Sequence, residues 1–454
     1  MNTMELNNKR VLVVGLGKSG VASALFLKAH GARVTVSDTK SGDELRNEIP
    51  ALLDHGIAVE TGGHGERTFR GQDLIVVSPG VPVDAPLLQQ ARSLGEPVIG
   101  EIELAAQFLP GPIVAITGSN GKTTTTALTG EILTAGGFPA LVGGNIGTPA
   151  ISLADRATTE TFIVLEVSSF QLETIQTFRP KVAVVLNVTP DHLDRHKTFE
   201  TYADAKARIF ENQRGDDFAV LNEDDPTCVT MAARTRAQVF WFSRQKEVKQ
   251  GAWVREGNIL FRDGMQQREI MQVSEIPLKG AHNLENVLAA VCAGALMGCP
   301  PEQIRQAVRD FKAVEHRLEF VTSIRGVDYY NDSKATNVDA TIKALESFPA
   351  NIHLILGGKD KGSDYAVLND LLKQRVKRVY TIGAAAEKIE SQIKGVEVVH
   401  AETLQNAIRK ANAVAEAGDV VLLAPACASF DQFKNYEERG AVFKRIVSDL
   451  ARER

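Results

Sequence analysis

Gly118-Ser-Asn-Gly-Lys-Thr123 ends an apolar run, Ile113 to Thr117, and opens a helix-compatible threonine run through Thr126. Glycines at such a junction let backbone N–H groups turn toward an anion, and a helix N-terminus adds its dipole. Lys122 then supplies a mobile cation and Thr123 a hydroxyl for Mg²⁺, with Gly118, Ser119, Asn120, Gly121 and Thr124 forming the cradle. Five positions before Gly121 stands Ile116 and not glycine, so the pattern is a shortened Gly-x-x-Gly-Lys-Thr. An ordinary glycine-rich turn between strand and helix has the same letters. Binding of a nucleotide phosphate is the working premise.

Other groups able to do chemistry follow strand-like runs. Glu166 stands near the end of the strand-like run Phe162 to Val167, at the sheet edge where a metal or its water would lie; a merely solvated carboxylate is the alternative. Asn187-Val-Thr-Pro-Asp191-His192-Leu-Asp194-Arg-His196 is dense in ligands and proton donors without zinc spacing, so His192 is read as a Mg²⁺ ligand or as plain loop polarity. Lys206, in the amphipathic stretch Tyr202 to Phe210, is by composition a solvated helix residue. Asn286 falls one turn into the helix predicted from Ala281 to Leu296. Further on, His316-Arg317 precedes a strand, and Asp332, Lys334 and Thr336 share one loop after another. That loop suits a nucleotide together with an anionic substrate, or is simply polar. Gly357-Gly-Lys359-Asp-Lys361-Gly is a second glycine and lysine turn, and Ser429 to Gly440 mixes hydroxyl, aromatic and charged groups.

The elements that must position these groups are legible as alternating strands and helices. Arg10 to Gly15, Gly15-x-Gly17-x-x-Gly20 and Arg33 to Asp38 form a βαβ unit with an acidic tip, the dinucleotide fingerprint. Alone it would indicate NAD, yet the same turn holds any diphosphate. A Gly95-Glu-Pro97 turn marks a boundary near Gly100, and the pattern restarts past Ala313. The fold class predicted is α/β, with three consecutive Rossmann-like domains spanning 1–99, 100–312 and 313–454. The central one is a P-loop-type ATP-binding domain with a mostly parallel sheet. Gln238 to Val273 reads as an antiparallel flap on it.

Composition bounds the function. At 454 residues, 44% hydrophobic and 24% charged, the chain is that of a globular protein of about three domains. A net charge of -5 argues against nucleic acid or an anionic membrane as partner. Four scattered cysteines suggest neither a zinc site nor a disulfide framework. Met1 to Arg10 lacks a signal-peptide core and no apolar run approaches the roughly 20 residues of a membrane span, so a cytoplasmic protein is expected.

In this order the motifs resemble the Mur ligase family, ATP-dependent amide-forming enzymes of peptidoglycan precursor synthesis. The resemblance rests on Gly118 to Thr123, Glu166, Asn187 with Asp191-His192, His282-Asn283-x-x-Asn286, His316-Arg317 and Asn331 to Lys334, and covers essentially the whole chain. The run Ala424 to Gly440, supported by Asn331 to Asn337, resembles the member that joins D-glutamate to UDP-MurNAc-L-alanine. That resemblance implies ATP and two Mg²⁺ ions, an acyl phosphate, and action as a monomer. Lys122, Glu166, His192 and Lys206 become catalytic. Thr123, Glu166, His192 and a carbamylated Lys206 would hold metal, while Asn286, Arg317 and Asp332 position ATP. Lys18, Ser19, Asp38, Thr39, Ser78, Gly80 and Asn145 would line the sugar nucleotide. Lys334, Thr336, Lys359 (or Lys361), Ser429 and Phe433 would meet D-glutamate. The rivals are an NAD-dependent oxidoreductase, which leaves the Lys122 loop and the third domain unused, a nucleotide-regulated binding protein without turnover, and another amide ligase such as a folylpolyglutamate synthase.

Overall fold

The computed structural model describes residues 4–278, 280–312 and 315–452. The expected boundary at 312/313 touches Ala313, which lies outside them. Two compact units divide the chain, one holding Met1–Val188, Glu200–Val273 and Asn286–Arg309, the other Thr189–Phe199, Ser274–Glu285 and Asp310–Arg454.

The first unit carries two sheets. Strands β1 (Arg10–Val14), β2 (Arg33–Ser37), β3 (Ala58–Glu60), β4 (Leu74–Val77) and β5 (Val98–Gly100) pair in parallel in the order β3-β2-β1-β4-β5. Val11 to Val14 and Leu74 to Val77 are buried throughout, as parallel strands covered on both faces require. The second sheet uses β6 (Ile113–Thr117), β7 (Ala140–Gly144), β8 (Phe162–Glu166), β9 (Val182–Val185), β10 (Phe218–Asn222), β11 (Gln238–Ser243), β12 (Gly251–Arg255), β13 (Asn258–Asp263) and β14 (Gln266–Gln272). Its order is β14-β13-β12-β11-β10-β9-β6-β8-β7. The flap expected from Gln238 is corrected here: β11 and β12 pair in parallel, and only β12-β13-β14 is antiparallel. Alternation in sequence reports burial on one face and is blind to strand direction. β14 forms an edge, and its Gln266, Gln267, Arg268 and Glu269 are exposed.

Two acidic side chains tie these sheets together within the unit. Glu103 accepts backbone N–H bonds from Gln176 and Phe178 on one oxygen and from Thr177 on the other, at 2.8, 2.9 and 2.9 Å. Glu101, only 1% exposed, accepts from Ile151 N at 2.8 Å, while its Oε2 has no hydrogen bond. Burial pushes the Glu101 pKa up to about 7, outweighing the backbone bonds of Ile151 and Ala150. A raised carboxyl pKa means the folded chain binds this proton more tightly than the unfolded one. Its stabilising effect is complete below the ordinary glutamate range and fades as pH climbs to about 7. Glu101→Gln cannot ionise, so it is expected to be more stable than wild type by roughly 3 kcal/mol near pH 8, with most of the gain gone near pH 5. Thermal melts at the two pH values test this; a constant gap would show that Glu101 does not titrate in that window.

In the second unit β15 (Glu319–Ile324), β16 (Val327–Asn331), β17 (Ile352–Gly357), β18 (Val376–Ile382), β19 (Glu397–Glu402) and β20 (Val420–Leu423) are ordered β15-β16-β20-β17-β18-β19. Only β15 runs antiparallel. Helices cover both faces, around one core with Leu354, Leu356 and Leu422 and another with Tyr329, Val421 and Phe443. No described helix is long and apolar enough to cross a membrane.

Candidate active site

The phosphate loop joins β6 to the helix Lys122–Ala135. Gly121 is left-handed, with φ of 86°, and a Cβ there would stand 2.1 Å from Asn286 Oδ1, so only glycine fits. Asn187 holds the loop from the side: its Oδ1 accepts from Asn120 N at 2.8 Å and its Nδ2 donates to Asn120 O at 3.1 Å. Lys122 Nζ donates to Gly118 O at 2.8 Å and Ser119 O at 2.9 Å, poised over its own loop. Thr123 Oγ1 donates to Glu166 Oε2 at 2.7 Å, and Asn145 Nδ2 donates to Glu166 Oε1 at 2.9 Å. The hydroxyl and the buried carboxylate form an oxygen donor pair of the kind hard divalent cations take.

Lys206 corrects the composition-based reading. It is 1% exposed, donates to Gly118 O at 2.8 Å, and lies 4.6 Å above the Tyr202 ring. Tyr202, which the sequence did not single out, brings its hydroxyl 3.0 Å from Ser119 Oγ. The helix Phe199–Ala207 therefore turns its lysine under the loop and not toward solvent.

At the edge of the first sheet, Lys18 and Ser19 open the helix Lys18–Ala29. The buried Asp38 accepts from Leu16 N at 2.7 Å and Lys40 N at 2.8 Å, one on each oxygen, and Ser78 Oγ donates to Gly15 O at 2.7 Å. These two residues brace the glycine turn; Thr39 and Gly80 are exposed beside it.

The second unit brings together the loops after β16 and β20. Asp332 is buried, and burial pushes its pKa up to about 6 against the pull of Arg317. Arg317 Nε is buried without a hydrogen bond. Burial lowers the pKa of His316, whose Nδ1 takes a hydrogen bond from Asn331 Nδ2 at 2.9 Å. Glu315, His316 and Glu319 could be mistaken for a metal cluster, but Lys444 pairs with both carboxylates. Lys334 lies 5.2 Å above the ring of Tyr436, whose carbonyl accepts from Ser333 Oγ at 2.8 Å; Tyr436 is a neighbour the sequence did not reveal. Thr336 N donates to Lys334 O at 2.8 Å, which folds the loop tightly. Phe433 is partly buried against the Tyr329 core and its N–H donates to Ser429 O at 2.9 Å.

A cavity of about 500 Å³ in this unit is lined by Asp191, His192, Asn337, Asp339 and Lys361, with Leu193 and Ile342 among its apolar walls. Asp191 organises it: Oδ1 accepts from His192 N at 2.9 Å, Oδ2 accepts from Asn337 Nδ2 at 3.0 Å, and Lys361 Nζ lies 3.9 Å away. Lys359 does not line the cavity; its backbone bridges Ala428 through bonds of 2.8 and 3.1 Å.

A strand–glycine-loop–helix cradle with a paired hydroxyl and carboxylate is a nucleotide-phosphate site of the P-loop type. Three family profiles match the chain: Mur ligase MurD-like N-terminal domain over 9–100, Mur ligase middle domain over 116–294, and Mur ligase glutamate ligase domain over 316–427. The chain belongs to the Mur ligase family. A Koribacter versatilis protein named UDP-N-acetylmuramoylalanine--D-glutamate ligase is 69% identical over 450 residues, 99% of each chain. Its namesake from Acidobacterium capsulatum is 62% identical over 447 residues, 98% of this chain and 97% of its own. Among solved structures, the UDP-N-acetylmuramate-alanine ligase MurC of Thermotoga maritima shares the fold at a TM-score of 0.62 and 18% identity, covering 97% of this chain and 100% of its own. Membership sets aside the oxidoreductase and passive-binding readings.

Proposed function

We propose that this chain joins the amine of D-glutamate to the L-alanyl carboxylate of UDP-N-acetylmuramoyl-L-alanine, with ATP cleaved to ADP and phosphate. The observation that carries the reading is the 69% identity, across 99% of both chains, to a ligase of that name. It is supported by a phosphate loop whose lysine is held against the loop's own carbonyls and whose threonine is hydrogen-bonded to a buried, metal-type carboxylate.

The substrate carboxylate attacks the γ-phosphorus, ADP leaves, the amine of D-glutamate adds to the acyl carbon and gives up a proton, and phosphate departs as the amide forms. The difficulty is bringing anions together, which Lys122 and the backbone N–H groups of Gly118 to Gly121 offset. Thr123 and Glu166 are the oxygen donors that would hold Mg²⁺, and the bound ion would supply neutralisation of phosphate charge. The second ion, its ligand His192, and the carbamate on Lys206 are carried by the resemblance. The unsatisfied Arg317 Nε and the buried Thr124 hydroxyl, also without a partner, fit ATP as polar groups with bonding capacity to spare. Asn286 and Asp332 are retained for the nucleotide, and Lys18, Ser19, Asp38, Thr39, Ser78, Gly80 and Asn145 for the sugar nucleotide. For D-glutamate we keep Lys334, Thr336 and Ser429, prefer Lys361 to Lys359 because only Lys361 faces the cavity, and replace Phe433 by Tyr436. The enzyme would act as a cytoplasmic monomer, which sedimentation and cell fractionation would check.

Phosphate release from ATP with UDP-N-acetylmuramoyl-L-alanine should depend on D-glutamate and fail with L-glutamate, L-alanine and meso-diaminopimelate. Release indifferent to the acceptor would sink the specific assignment. In the same assay Lys361→Ala is expected to raise KM for D-glutamate about tenfold or more, and Lys359→Ala much less; the reverse order would restore Lys359.

A further inference from the structure

Arg439 is 0% exposed, and its hydrogen bonds go to a serine hydroxyl and backbone carbonyls. Arginine is almost never fully buried unless paired, and a hydrophobic side chain in its place would ordinarily cost less. Its guanidinium is spent on the chain itself. Nε donates to Ser333 Oγ at 3.0 Å, Nη2 to Ser333 O at 2.8 Å and Cys427 O at 3.2 Å, and Nη1 to Ala428 O at 3.4 Å. A Cβ at Gly358, where φ is 137°, would stand 3.1 Å from Nη1, so the loop after β17 also closes on this group. Burial lowers the Arg439 pKa to about 10, with Cys427 and Asp431 opposing, so the charge survives at neutral pH.

The residues it grips are immediate neighbours of others with assigned roles. Ser333 sits between Asp332 and Lys334, and Ala428 precedes Ser429. A buried cation hydrogen-bonded to neutral groups also projects a field that a low-dielectric surrounding screens weakly.

We propose that Arg439 is a positioning residue for the acceptor subsite: it fixes the 331–336 and 427–429 loops against each other and places positive charge behind them, favouring an acceptor bearing carboxylates. The inference rests on the reading of those loops as the D-glutamate subsite. A purely structural staple would weaken every substrate alike, whereas this role predicts a selective effect.

The test compares Arg439→Met, which keeps bulk and loses charge, with Arg439→Lys, which keeps charge and loses the fork. Arg439→Met is expected to raise KM for D-glutamate about tenfold or more while KM for the sugar nucleotide, none of whose assigned residues lies in these loops, changes by about twofold or less, and Arg439→Lys to fall between it and wild type. An unchanged D-glutamate KM in a variant that melts like wild type, or an equal rise in both KM values, overturns the proposal. If Arg439→Met does not fold, Arg439→Lys decides by the same KM comparison. Wild type lacking any dependence on D-glutamate would remove the acceptor reading instead. Amide hydrogen exchange over 331–336 and 427–429 in Arg439→Lys then still reads the positioning: faster exchange in both segments supports it, and wild-type exchange refutes it.

Discussion

Lys122→Met is expected to lower kcat about a thousandfold while leaving the fold intact, the scale of losing one preorganised charge at a transferring phosphoryl group. The ammonium donates to Gly118 O and Ser119 O, so it is held over the loop in advance and need not be gathered when ATP arrives. Those carbonyls are loop backbone, and water can replace the lost donor, so melting temperature should move little. Phosphate release at saturating substrates measures the effect. A variant retaining more than about a tenth of wild-type kcat would show that the charge is supplied elsewhere.

Lys206→Ala is expected to be nearly inactive, with part of the activity returning in added acetate or formate. If its amine has condensed with CO₂, releasing a proton, the resulting carbamate offers two oxygens where the bare side chain offers a cation. Either form keeps an N–H on the nitrogen that lies 2.8 Å from Gly118 O beside the phosphate loop. The rescue chemistry therefore separates them. Return of activity with methylamine and not with acetate would leave Lys206 as a plain cation under the loop. Full activity in the untreated variant would deny it either role. Truncating a residue that is 1% exposed also leaves a cavity, so the melting temperature must accompany the assay.

Most strands could be read because parallel strands buried on both faces are apolar throughout: β1, β6, β9 and β20 are nearly unbroken Val, Ile and Leu. β3 escaped because Ala58-Val-Glu60 is too short to carry a pattern, whereas the strand expected after His316-Arg317 is β15. The phosphate loop was legible because lysine, threonine and glycines are contiguous. What held those residues in place was not. Tyr202 meets Ser119, Arg439 meets Ser333, and Asp191 meets Asn337, pairings across 83, 106 and 146 positions that no local pattern announces. Lys206 was misplaced by composition for a related reason, since the face a lysine occupies depends on what packs against its helix. Phe433 and Tyr436 illustrate the limit at short range: both lie in one aromatic run, and only packing sets one against the core and the other against Lys334.

The largest sheet ends on β14, whose outer residues are two glutamines, an arginine and a glutamate. A sheet edge offers unfilled backbone donors and acceptors to any passing strand, and β14 presents seven residues of it. Here a docking strand would have to desolvate Arg268 and Glu269 before gaining a single ladder bond. That penalty guards the crowded protein against edge-to-edge stacking and keeps a broad sheet from seeding aggregates.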